Sequence, residues 1–115
     1  MGKENIETNS NNEMKIQTLL IPIDFSHIIP HGYANGYIGL PKEHPWFNKH
    51  YDNIDVDIHG GLTYSNDHPP KGEPDGLWWT GFDTAHCYDN QVNCDETYCR
   101  NEVESLKQQA LNVVK

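Results

Sequence analysis

Between about residues 95 and 113 the apolar side chains Cys99, Val103, Leu106, Ala110 and Val113 recur at intervals of four, three, four and three. That is the spacing of one buried stripe on an α-helix. Asp95 or Asn93 is placed to cap it, and Asp95 and Glu96 stand where the helix dipole favours negative charge. A lone amphipathic helix must lay its stripe on something else, and the rest of the chain offers short extended pieces to receive it.

Those pieces are read from β-branched and aromatic runs punctuated by Gly and Pro. Ile16, Leu19, Leu20, Ile21, Ile23 and Phe25 cluster around an interior Pro22, which suits an edge strand. Tyr37-Ile38-Gly39-Leu40 predicts a short strand ended by Pro41. Ile54, Val56 and Ile58 alternate with Asp55, Asp57 and His59, the period of a strand with one apolar face. Leu77-Trp78-Trp79-Thr80-Gly81-Phe82 predicts its antiparallel partner, across a Pro- and Gly-rich loop from Asn66 to Gly76. The loop from Lys42 to Asn53 is rich in aromatic and histidine residues, with a helical turn expected at Pro45-Trp46-Phe47; Tyr33, Tyr37, Trp46 and Tyr51 either cover a ligand or seal a small core. The expected fold is α+β: a small antiparallel sheet with long loops, packed by one C-terminal helix. Residues 1–13, polar and without periodicity, are expected to be a flexible tail, and residues 14–115 a single domain.

Composition narrows the function. The 8 Lys and Arg against 17 Asp and Glu leave a formal charge of −9, which disfavours direct binding of duplex nucleic acid, where a cationic surplus is needed. The longest apolar run, Leu19 to Ile23, contains Pro22 and falls far short of the roughly 20 residues of a membrane span. No hydrophobic signal core opens the chain, so the expected location is the cytoplasm. Cys87, Cys94 and Cys99 match neither a zinc spacing nor a disulfide framework and are expected to be reduced packing residues.

Two stretches carry candidate chemistry: His59-Gly60-Gly61-Leu62-Thr63-Tyr64-Ser65, and Trp78-Trp79-Thr80-Gly81-Phe82-Asp83-Thr84-Ala85-His86-Cys87-Tyr88-Asp89. If their strands pair, His59, Asp83, His86 and Asp89 meet near one end of the sheet. One use is a polar, nucleotide-like ligand. Gly60 and Gly61 would expose backbone N–H groups, Thr63 and Tyr64 would supply hydroxyls, and Trp78 or Trp79 would offer a flat face for a base. Asp83 would hold a ribose hydroxyl beside His86, while His59, Lys42 and Arg100 are the candidate phosphate contacts. For Arg100 a salt bridge to Glu96 or Glu104 is an equal expectation. The other use is a metal on His59, Asp83, His86 and Asp89, residue types that zinc, manganese and iron accept; a hydrogen-bonded turn at Asp83 and His86 is the simpler account.

The motifs Asn35-Gly36-Tyr37-Ile38-Gly39-Leu40-Pro41-Lys42-Glu43-His44-Pro45, His59 to Ser65, and Trp78 to His86, followed by a helix ending Leu106-Lys107-Gln108-Gln109, resemble a family of small acidic proteins of bacteriophage and prophage genomes. The resemblance covers about residues 33 to 110; Cys87-Tyr88-Asp89 departs from it where relatives place a small residue and glycine before aspartate. It implies a phage context, and by analogy with small acidic phage proteins that sequester nucleotide second messengers of host immunity, the expected function is binding a nucleotide-derived signalling molecule in the host cytoplasm and keeping it from antiviral defence. That reading involves no turnover and no cofactor, and leaves a homodimer open. The alternatives are a metal-dependent hydrolase of a nucleotide-like substrate and an acidic interaction protein or DNA mimic.

Overall fold

The computed structural model describes residues 14–24, 31–86 and 89–114; the tail expected at 1–13 lies outside them. Among the described residues four strands form one antiparallel sheet: β1 (Gln17–Pro22), β2 (Ala34–Leu40), β3 (Tyr64–Asn66) and β4 (Trp78–Phe82), in the order β1-β2-β4-β3. One α-helix among them, α1 (Glu96–Asn112), packs on β2 and β1. The expected α+β architecture is thus the observed one. Among the described residues no helix is long and apolar enough to cross a membrane.

β1 is an edge strand, with Pro22 as its last residue, where the missing N–H does least harm to the ladder. β2 starts earlier than the tyrosine run suggested and carries Gly36 inside it. A Cβ there would run into Val103 Cγ2 and lie 2.7 Å from the Phe82 ring, so glycine lets α1 approach the sheet. The core formed by this approach contains Ile16, Ile38, Leu40, Ile54, Phe82, Val103, Leu106 and Ala110. Side chains such as Phe82 and Leu106, almost wholly shielded, contribute about 1.5–3 kcal/mol each by burial.

α1 begins where expected: Asp95 caps it by accepting the Tyr98 backbone N–H at 2.9 Å, with Glu96 in the first turn. Cys99, Val103, Leu106 and Ala110 are buried as the periodicity required, but Val113 lies beyond the last turn and is exposed.

The segment 54–63 corrects the strand expectation. Its alternation is real, for Ile54 and Ile58 are buried while Asp55 and Asp57 face solvent, yet only residues 64–66 join a ladder. The partner of the extended piece is the helix. Gln109 accepts the Asp57 backbone N–H at 2.8 Å and donates to the Asp57 carbonyl at 2.7 Å, and Glu102 accepts the His59 N–H at 2.9 Å. Two helix side chains do what a neighbouring strand would do for these groups.

The aromatic loop seals the core. His44 and Trp46 are buried; His44 Nε2 donates to the Ala110 carbonyl in the last turn of α1 at 2.8 Å, and Nδ1 accepts the Trp46 N–H at 3.0 Å. The helical turn expected at Pro45-Trp46-Phe47 is a run of tight turns, and a single 3-10 turn forms instead at Tyr51–Asn53.

A histidine and aspartate cluster as the candidate functional site

Two connections meet beside the start of α1. The first reverses after Ile58 through Gly60 and Gly61, whose φ of +67° and +80° favour glycine. The second runs from β4 to α1 and bears Asp83, His86, Asp89 and Cys94. Thr63 donates its backbone N–H to the Gly81 carbonyl at 2.8 Å and its hydroxyl to Asp83 at 3.0 Å, which holds the first connection to the second.

Asp89 is the hub. Its Oδ1 accepts His59 Nε2 at 2.9 Å, and its Oδ2 accepts His86 Nδ1 at 3.0 Å and the His86 backbone N–H at 2.8 Å. The Cys94 thiol approaches Oδ1 at 3.7 Å and His59 Nε2 at 3.9 Å. With Nε2–H given to Asp89, His59 Nδ1 accepts the Tyr98 hydroxyl at 2.8 Å. Asp83 lies at the rim, 3.5 Å from His86 Nδ1, and accepts the Ala85 N–H at 3.0 Å. The side chains grade from interior to surface: 7% exposed at Asp89, 18% at His59 and 36% at His86.

The electrostatics follow from this placement. Burial opposes ionisation of Asp89, but the hydrogen bonds from the His86 backbone, His59 and the His86 ring outweigh it and hold the carboxyl below its ordinary range. Burial, followed by the charge of Asp89, pushes the Cys94 thiol up to about 11. Burial and then the Glu102 carboxylate raise the Tyr98 phenol.

The sequence expectations divide by position on β4. His59, Gly60, Gly61, Thr63, Asp83, His86 and Asp89 converge. Trp78 and Trp79 open β4 whereas Asp83 follows its other end, so roughly 13 Å of extended chain separates them. Trp79 is buried with its indole N–H on Asp75, and Trp78 donates to the Lys49 carbonyl. Lys42, exposed just beyond the end of β2 that pairs with Trp78, shares that far end. Tyr64 sits edge-on to Tyr37 and donates to the His68 carbonyl. Arg100 pairs with Glu96 at 2.6 Å and lines a hollow of about 400 Å³ with Thr18, Leu20, Val103 and Glu104, between β1 and α1. Sequence reasoning missed Cys94, Tyr98 and Glu102. Their one signal was position, since all three lie just before or within the first two turns of the helix whose cap was foreseen.

Fold and cluster together define a small α+β protein in which a buried carboxylate joins two imidazoles. Compared with protein-family models, with curated proteins and with solved structures, the chain finds no match.

Proposed function

We propose that this protein binds a divalent transition-metal ion through His59, His86 and Asp89. The observation that supports the reading is that one ligand atom from each of the three lies within 4.8 Å of the other two. Metal bonds of about 2.0–2.2 Å would require ligand separations of roughly 3–3.5 Å, so modest closure suffices. Two imidazoles with one carboxylate suit zinc, iron or manganese better than magnesium or calcium, which prefer oxygen alone. Tyr98 on His59 Nδ1 would act as the outer partner that orients a ligating histidine. Sequestration of a nucleotide-derived signal, expected from the phage resemblance, calls for an indole face beside the histidines, and the two tryptophans stand at the far end of β4.

One observation favours a second reading, the metal-dependent hydrolase. Asp83 is partly exposed at the rim, 3.5 Å from His86 Nδ1, where a carboxylate could take a proton from metal-bound water. Calorimetric titration of chelator-stripped protein with Zn²⁺ tests the metal itself. One ion per chain is expected, with a gain of about 2.7 kcal/mol in unfolding free energy when free metal is a hundredfold above Kd. His59→Ala and Asp89→Asn should abolish both effects. Absence of stoichiometric binding in the wild type would end this reading.

A further inference from the structure

The three donors above leave one position of a tetrahedral sphere to fill, and a buried thiol approaches two of them. Cys94 Sγ stands 3.7 Å from Asp89 Oδ1 and 3.9 Å from His59 Nε2, and those two atoms are 2.9 Å apart. A tetrahedral centre with metal–sulfur bonds of about 2.3 Å and metal–nitrogen or metal–oxygen bonds of about 2.0–2.1 Å has edges of roughly 3.6 Å to sulfur and 3.3 Å between the light donors. These three separations fall within about 0.4 Å of those edges, whereas Cys94 stands outside the set of atoms mutually within 4.8 Å, so His86, more than a third exposed, must swing inward to close the sphere. Cys94 is 3% exposed, and its main chain is held on both sides, its N–H on the Asn90 carbonyl at 2.9 Å and its carbonyl on the Tyr33 N–H at 2.7 Å. Cys99, the other buried thiol among the described residues, points instead toward the Ala34 and Cys94 carbonyls.

We infer that Cys94 is the fourth ligand of the centre, which makes it a closed His59, His86, Asp89 and Cys94 set selective for soft, zinc-like divalent ions. The inference rests on the metal reading above. On binding, the S–H bond breaks, its proton leaves to solvent and the thiolate bonds to the cation; His59 loses its Nε2 proton and takes one at Nδ1, which then donates to the Tyr98 oxygen, so that both imidazoles bind through a neutral, unprotonated nitrogen and Asp89 through its carboxylate. No electron transfer is involved. A sphere completed by protein atoms holds the two connections together and has no place for a reacting water, so the inference favours binding over turnover.

Co²⁺, added to the stripped full-length chain, is the probe. The expected result is one Co²⁺ per chain, with the strong visible absorption of four-coordinate cobalt and a near-ultraviolet thiolate-to-cobalt charge-transfer band, neither displaced by excess Mg²⁺. Cys94→Ser should lose that band and weaken Co²⁺ binding more than about tenfold. The double variant C87S/C99S, which keeps Cys94 as its sole thiol, should retain the band and decides the matter if Cys94→Ser does not fold. Stoichiometric cobalt without the band, or a band lost in C87S/C99S, overturns the assignment of Cys94 and leaves the three-donor reading standing. No cobalt bound at all overturns both.

Discussion

Gly60 and Gly61 form a matched pair for testing what keeps His86 in place. Both have positive φ, so alanine at either costs about 1–2 kcal/mol of left-handed backbone strain, offset by about 0.4–1 kcal/mol from the restricted unfolded chain. Sterically the two differ. A Cβ at Gly61 would meet nothing within 4 Å, whereas one at Gly60 would lie 2.6 Å from His86 Nε2 and nearer still to Cε1, well inside the carbon contact distance of about 3.5–4.0 Å. The His86 ring, partly exposed, must swing away and surrender its bond to Asp89, adding about 1 kcal/mol after solvent replaces part of it. Urea unfolding should therefore show Gly61→Ala destabilised by about 1 kcal/mol and Gly60→Ala by about 2 kcal/mol. Cobalt titration should separate them further: affinity falls more than about tenfold in Gly60→Ala and stays within about threefold of wild type in Gly61→Ala, whose backbone can keep its turn. Equal losses of stability and of cobalt affinity in the two variants would refute the placement of His86 over Gly60.

Three further outcomes are expected. Burial lowers His44 from its ordinary value of 6.5, despite the opposing bond to Ala110. The unfolded chain therefore takes the proton first, stability falls as pH drops below about 6.5, and His44→Gln should flatten that slope in denaturation at stepped pH. Asp89 acts in a lower window: its carboxyl is held below the ordinary 3.8, so its contribution is complete above that value and is lost as pH falls through the depressed one. Asp89→Asn should remove that acid limb and cost about 1.5–3 kcal/mol at neutral pH; an unchanged acid limb would count against the hub. Gln109→Ala should cost about 0.5–1 kcal/mol, because water reaches both freed backbone groups of Asp57, and Gln109→Glu, able only to accept, should recover part of that; hydrogen exchange at Asp57 reads the loss directly.

The helix was legible because four buried residues of α1 repeat with its own period, a local property of the chain. The alternation at residues 54–58 was equally legible as burial, but period two reports only that one face is covered. It does not say whether a strand or a helix bearing Gln109 and Glu102 satisfies the backbone. Convergence of His59 with Asp83, His86 and Asp89 followed from pairing the end of the Gly-Gly stretch with β4, and Thr63 on Gly81 is that pairing. The same strand defeats an indole platform, because one end of β4 cannot serve a site at the other. Cys94 and Tyr98 were hidden because their neighbours depend on how the helix start docks, a tertiary event with no local period.

The two side chains that steady His59, Tyr98 on its ring and Glu102 on its backbone, belong to α1, which follows every histidine and aspartate of the cluster along the chain. A ribosome therefore delivers the donors first and their support last, and a nascent chain caught between the two stages presents the imidazoles without the scaffold that aims them. Maturation of the centre is thereby tied to arrival of α1, so a cation captured stably reports that this helix has docked.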